Sequence, residues 1–327
     1  ETGISWPTLP IDLTNINRVS QVAVWGLGRA DQVMSAGSGE LLLVRSPFGL
    51  AVYDASTDDL VVFLPEVRAL AVSPDTTQIV AAYPGGVVEV WDVDGLEVRY
   101  RFEHTLDVPE YPPPGYDPDQ QLAVLSLAFS PLGDLLAVGY GDGVIDLYNL
   151  GTGELERALS SYYTPLPSRL LFSPDRRYLL SANQGPAAAS RERINIGVWS
   201  LESGEVAGYI PDAGRISDNP FSPDGKVIVT SKWGGFLIRI HLPEGVILGS
   251  IPTGLFYPSV EYATDSRYLL VDGGAQVRNI WDGTQARMDA ETLAAIKPEP
   301  PAWQVDLTGR QEWDLGHPDG LFAVRFS

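Results

Sequence analysis

Short runs of alternating apolar and polar residues recur along this chain. Three stretches show the pattern best: VRALAVSPDTTQIVAAYPGGVVEVWDVDGLEVRYRF (67–102), VLSLAFSPLGDLLAVGYGDGVIDLYNLGTGELERAL (124–159), and SRLLFSPDRRYLLSA with INIGVWSLESGEVAGYI (168–182 and 194–210). Each reads as an apolar strand A, a Ser-Pro turn, an apolar strand B and a Gly-marked turn. A strand C ending in an aromatic follows, then another Gly-marked turn and a strand D. A repeat of about forty residues holding four short strands predicts radially arranged blades, because one such unit cannot cover its own apolar faces.

Phasing on strand B extends the count. B strands are expected to begin near Leu41, Gln78, Leu135, Tyr178, Val227, Tyr268 and Gln311. The two long gaps absorb HTLDVPEYPPPGYDPDQQ (104–121) and NQGPAAASRER (183–193), which read as loop insertions and not as domain boundaries. C strands are expected at 49–54, 87–92, 144–149, 195–200, 236–241, 276–281 and 321–326, and D strands at 61–65, 206–211, 246–252 and 293–298. The seventh unit reaches Ser327 without a D strand, while VSQVAVW (19–25) precedes the first A strand. The economical arrangement is an all-β, seven-bladed ring of four-stranded antiparallel blades in which 19–25 completes the last blade. Residues 1–18 then form a lead-in and 19–327 a single domain.

The turns explain themselves chemically. In SPDG (222–225), SPDT (73–76), SPDR (173–176) and SPLGD (130–134), Pro presets φ and Asp bonds back to the backbone. These turns, with Trp91-Asp92, Trp281-Asp282 and the variants Tyr53-Asp54, Tyr148-Asn149 and Trp199-Ser200, resemble those of WD40-type β-propellers, in a divergent and bacterial-looking form. The resemblance covers nearly the whole chain and implies a rigid binding platform. It departs from the family in one respect: no Gly-His dipeptide stands in phase before a strand A, since Gly316-His317 falls between strands B and C. The family's His–Asp–Ser/Thr–Trp relay is accordingly not expected, and Trp313-Asp314 is likewise out of phase.

Composition narrows the chemistry. The 327 residues carry a net charge of −20, which argues against a nucleic-acid partner. No run of apolar residues is long enough to span a membrane. The absence of Cys excludes thiol catalysis, disulfides and Cys-ligated metal centres. The opening Glu-Thr-Gly resembles the remnant of a secretion vector, and there is no Asn-x-Ser/Thr sequon, which together suggest an extracellular or cell-surface protein of bacterial type.

Catalytic signatures are lacking. His104, His241 and His317 are scattered without metal-ligand spacing. GLGRAD (26–31) reads as a turn, and DVDGLE (92–97) lacks the oxygen ligands of a calcium loop. No cofactor is expected. The alternative reading, a propeller hydrolase or lyase with a metal ion in the central channel, would draw on Asp218, Asn219, Glu261 and Asp306.

Sorting residues by loop separates two edges. A–B and C–D turns collect carboxylates, as turns ordinarily do. B–C and D–A loops collect aromatics and cations: Tyr83, Tyr140, Tyr162, Tyr163, Arg191, Arg193, Arg215, Trp233 and Tyr257. These side-chain types dominate binding hot spots. Tyr163, Trp233 and Tyr257 are the expected aromatic anchors, and Arg191 and Arg215 would fix an acidic group. The expected function is non-enzymatic recognition of a protein or peptide, or of a glycan, by a monomeric domain.

Overall fold

The computed structural model describes residues 30–106, 111, 115–160, 165–184, 194–232, 234–255, 258–265, 267–271, 276–280 and 283–296, with the short strands 308–309, 311–312 and 325–326. The expected N-terminal strand 19–25 lies outside the described residues.

Six four-stranded antiparallel meanders follow one another along the chain. The first comprises β1 (Gln32–Ala36), β2 (Leu41–Ser46), β3 (Gly49–Asp54) and β4 (Leu60–Pro65); the second, β5 (Ala69–Val72), β6 (Gln78–Ala82), β7 (Val87–Asp92) and β8 (Glu97–Glu103). A short helix, α1 (Pro118–Leu122), precedes the third: β9 (Val124–Phe129), β10 (Leu135–Tyr140), β11 (Ile145–Asn149) and β12 (Glu154–Leu159). The fourth holds β13 (Arg169–Phe172), β14 (Tyr178–Ala182), β15 (Ile196–Ser200) and β16 (Val206–Ile210). The fifth holds β17 (Arg215–Phe221), β18 (Val227–Lys232), β19 (Phe236–His241) and β20 (Val246–Pro252). The sixth holds β21 (Val260–Tyr262), β22 (Tyr268–Val271), β23 (Gln276–Asn279) and β24 (Gln285–Ala286), followed by helix α2 (Ala290–Ile296).

Two expectations need correction here. The segment LAAIKP (293–298) is not the sixth D strand; β24 takes that place, and 290–296 coil into α2. The sequence AETLAAI has Thr292 and the terminal Ile296 as its β-branched residues and is otherwise made of good helix formers. The Asp289 carboxylate accepts from the Thr292 N–H at 2.7 Å at the start of this helix. Leu293 and Ile296 thereby pack on the sixth sheet beside Tyr268, Ala286 and Met288.

The second correction concerns the last strands. β26 (Gln311–Glu312) pairs antiparallel with β27 (Arg325–Phe326), as a B–C hairpin should, but β25 (Thr308–Gly309) pairs parallel with β27 and not with β26. A single residue separates β25 from β26, too few to turn a chain back on itself in a hairpin.

The core has no common centre. One buried cluster joins the first sheet to the second (Met34, Leu43, Leu50 and Val52 with Leu70, Val72 and Ile79). Others join the second to the third, the third to the fourth, the fourth to the fifth and the fifth to the sixth. The second to fifth sheets are apolar on both faces and each face is covered by a neighbouring sheet, as face-to-face sheet packing requires, while α2 packs on the sixth. The A strands touch in series (β1 with β5, β5 with β9, β9 with β13) and β17 touches β21, so these strands lie on the inner side. Side chains stitch them together: Gln32 Nε2 donates to the Leu70 carbonyl at 3.3 Å, and the Ser126 hydroxyl donates to the Pro167 carbonyl.

The A–B turns are closed by one device used four times. In each, a buried Ser hydroxyl donates to the turn's own Asp and accepts the first N–H of strand B. The donor pairs are Ser73–Asp75 (2.6 Å), Ser130–Asp134 (2.7 Å), Ser173–Asp175 (2.6 Å) and Ser222–Asp224 (2.6 Å). The N–H groups belong to Gln78, Leu135, Tyr178 and Val227. These bonds hold all four carboxyls below the usual Asp value, against the opposing effect of partial burial. A carboxyl with a depressed pKa in the fold stabilises above its unfolded value and loses that contribution as pH falls through the folded value. Ser173→Ala, which leaves the Tyr178 N–H without its acceptor, is expected to cost about 1–2 kcal/mol in urea unfolding at neutral pH. The gap to the unsubstituted protein should shrink on acidification below the Asp range.

Candidate functional site

Because every sheet is a meander, its B–C loop and the D–A connection to the next sheet emerge at one edge, and the A–B and C–D turns at the other. The B–C/D–A edge carries exposed side chains in the described residues: Phe48 at 65%, Leu166 at 51% and Phe236 at 43% exposure. Arg68 and Arg215 are also exposed there. Neither guanidinium has a carboxylate partner among the described residues, whereas Lys232 is paired with Asp212 at 3.1 Å.

The expected binding residues divide into three groups. Arg215, the first residue of β17, stands exposed as anticipated. Tyr162, Tyr163, Arg191, Arg193, Trp233 and Tyr257 lie outside the described residues. Tyr83 and Tyr140 do not present free rings. Tyr83 is half-buried and packs on the cluster between the first two sheets. Burial, with Glu89 beside it, pushes its phenol well above the ordinary range.

Tyr140 is wholly buried. It ends a strand B, so its ring turns inward and serves packing instead of a ligand. Burial and the adjacent Tyr148 push its phenol up strongly.

What covers Tyr140 is His104, and the arrangement follows from strand periodicity. Tyr100, Phe102 and His104 occupy alternate positions at the end of the second sheet and therefore share one face. Phe102 stacks on Tyr148 of β11 (centroids 3.9 Å apart, planes at 12°), and His104 stacks on Tyr140 (4.0 Å, 14°). The His104 Nδ1 lies 2.9 Å from the Asp146 carboxylate and Nε2 lies 3.0 Å from that of Asp142. Tyr148 donates its hydroxyl to Asp146 at 3.1 Å. Both ring nitrogens thus face pure acceptors, and only the imidazolium satisfies both. Burial opposes the charge, but the two carboxylates outweigh it and raise the His104 pKa to about 9.

This corrects a second expectation. A His–Asp relay joins the second and third sheets, with Asp142 in the B–C turn and Tyr148 at the position where Trp is expected. Half of the same relay recurs in the fourth sheet, where buried Trp199 donates Nε1–H to the Ser181 hydroxyl at 2.9 Å. The signal in the sequence was Glu103-His104, directly after a strand D. The dipeptide lacks the Gly that usually precedes such a His, and the insertion separates it from the following strand A.

The node anchors the insertion at both ends. His104 begins it. At its far end Asp117 caps α1 by accepting from the Asp119 N–H at 3.1 Å, and the Gly141 and Asp142 N–H groups donate to the Ala123 and Gln121 carbonyls. A β-carbon at position 141 would stand 1.9 Å from the Gln120 carbonyl oxygen, so only Gly permits this approach.

The channel-metal alternative finds little support in the geometry. Asp218 is paired with Arg169 across the inner strands at 2.6 Å. Asn219 adjoins it on β17, Glu261 stands on β21 and has a polar or charged partner of its own, and Asp306 lies outside the described residues. No group of three or more His, Cys, Asp or Glu positioned to hold a metal ion occurs among the described residues.

Comparison with known proteins agrees with the architecture. The family model described as "Anaphase-promoting complex subunit 4 WD40 domain" matches residues 113–172, which hold the end of the insertion and all of the third sheet. The chain is also 30% identical over 190 residues to "WD repeat-containing protein VIP3" of Arabidopsis thaliana. That match covers 55% of this chain and 56% of the plant protein, so the chain spans about half the length of the relative it matches. Together with the six repeated meanders these findings support a WD40-type fold. No helix among the described residues is long and apolar enough to cross a membrane.

The His104 node sets a specific pH dependence. A His whose folded pKa is raised contributes fully below its unfolded value near 6.5 and loses the contribution as pH rises through about 9. Asp142, held below the ordinary Asp value by His104 and the Val144 N–H despite its burial, loses its contribution at the acid end. His104→Gln should destabilise by on the order of 3 kcal/mol at pH 6. Denaturant unfolding at several pH values should show that difference narrowing above pH 7 and again below about pH 4.

Proposed function

We propose that this protein is a non-enzymatic interaction platform that captures a protein or peptide on its B–C/D–A edge. The observation that carries the reading is what the B–C/D–A edge exposes: Phe48, Leu166 and Phe236 from three different sheets or connections, and Arg68 and Arg215, neither with a carboxylate partner among the described residues. Rings and guanidiniums on rigidly held loops are what hot spots are made of. WD40-type proteins generally act as scaffolds, and the matching family model is described as a subunit of a larger complex. The insertion, clamped at both ends by the His104 node, would lengthen this edge. Tyr163, Trp233 and Tyr257 are the proposed further anchors, and Arg191 and Arg193 the further cations. Glycan recognition would use the same rings by stacking.

In the same reading the blades number seven. Residues 308–326 would supply the inner strands of the last blade and 19–25 its outer strand, closing the ring.

Photo-crosslinking from single positions tests the assignment. A photoreactive residue at Phe236 or Phe48 should trap the physiological partner from the source organism, and one at Leu132 in an A–B turn should not. Trapping from Leu132 alone would overturn the proposal. Arg215→Ala with Phe236→Ala should weaken capture by about tenfold or more while leaving the melting temperature unchanged.

A further inference from the structure

The insertion between β8 and α1 holds chemistry that the exposed rings and guanidiniums of the loop edge do not account for. Its sequence, HTLDVPEYPPPGYDPDQQ (104–121), carries Pro109, three consecutive prolines at 112–114, and Pro118. Proline has no N–H and its ring holds φ near about −65°, so a proline run cannot join a sheet ladder and favours an extended polyproline II segment. Residues 112–114 lie outside the described residues, but those that flank them are described.

The flanks stand clear of the sheets. Tyr111 is 83% exposed, more than any other large hydrophobic side chain among the described residues. A β-carbon at Gly115 would meet nothing within 4 Å. Gly115 has φ +84°, a left-handed value that a polyproline II segment does not contain, so the run is bounded there by a turn. Past the turn Tyr116 is half-buried and Asp117 caps α1, with Pro118 in its first turn.

Both ends of the insertion are fixed at one place. The His104 N–H donates to the Gly86 carbonyl at 3.3 Å. A β-carbon at Gly86 would stand 3.3 Å from the His104 β-carbon and 3.2 Å from Leu122 Cδ2, so the chain leaves and returns beside the same glycine. A loop closed in this way has less freedom to lose when a partner grips it. The insertion is also acidic: Asp107, Glu110, Asp117 and Asp119 are present, with no Lys or Arg. Its single His is already engaged by Asp142 and Asp146.

We propose that residues 111–114 are a polyproline II ligand, gripped by a partner domain whose groove is lined with aromatic rings and rimmed by Lys or Arg. At about three residues per turn, Tyr111 and Pro114 would share the face turned toward those rings, and the acidic flanks would meet the basic rim. Here this protein supplies the peptide and the partner supplies the groove. The assignment therefore goes beyond capture at the loop edge, and either can fail without the other.

The probes are purified SH3-type and WW-type domains in two sets, one with a basic and one with an acidic groove rim. Binding to the intact protein is measured by titration calorimetry. The basic-rimmed set is expected to bind, and to bind more weakly as salt rises. Pro113→Ala with Pro114→Ala, and separately Tyr111→Ala, should each lower affinity by about tenfold. Tyr111→Ala should leave the melting temperature unchanged, because the side chain is exposed. Arg215→Ala with Phe236→Ala should not alter this binding, which separates it from the loop edge. Absence of binding by every domain, equal binding by the acidic-rimmed set, or binding that survives the double proline substitution would overturn the proposal. So would binding lost in the Arg215 and Phe236 variant, since the domain would then sit on the loop edge.

Discussion

Everything in this molecule depends on successive sheets burying their apolar faces against one another. A four-stranded sheet of alternating apolar residues cannot fold alone, because half of its hydrophobic surface would remain in water. Stacking in series answers this: Ile196 and Val198 of one sheet meet Ile216 and Ile228 of the next, and Val229 and Leu237 meet Val260 and Leu269 in turn. Stability is then spread over successive interfaces, in the manner of repeat proteins. No single central cluster carries it.

That constraint governs where polar chemistry is tolerated. Most groups trapped between sheets are satisfied there, although the Tyr140 hydroxyl and Trp91 Nε1 have no hydrogen-bond partner. Trp199 and Ser181 answer each other within one sheet, whereas His104, Asp142, Asp146 and Tyr148 answer each other across two. The second case both fastens neighbouring sheets and fixes the base of the long insertion. Charged and aromatic residues freed from this duty are left at the loop edge, in the insertion and along the outer strands, and the candidate interaction surfaces lie in the first two.

Legibility varied along the chain for physical reasons. Phasing on strand B places the second strand of all six four-stranded sheets, from Leu41 to Tyr268, because apolar alternation and Ser-Pro turns are both local signals. It misread 293–298, where Leu-Ala-Ala-Ile suits a strand or a helix and packing on Tyr268 and Met288 selects the helix. Arg215 opens a strand at a loop edge and is exposed, a position that is legible locally. Tyr140 differs: residue type and loop position indicate a binding ring, but its ring is buried under His104, which is remote from it in sequence and follows the second sheet.

The sequence by itself determined the strand repeat, the turn chemistry, the places of the insertions and the acidic, cysteine-free surface, all of which follow from contacts within a few residues. Only the tertiary structure decided which polar residues are consumed by neighbouring sheets and which remain open. His104 pairs with Asp142 and Asp146 across an interface, Asp218 is claimed by Arg169 on another strand, and Val246–Leu248 are left uncovered at an edge. Those outcomes depend on which sheet faces which. A periodic pattern alone does not encode that geometry, because every unit of the repeat looks locally alike.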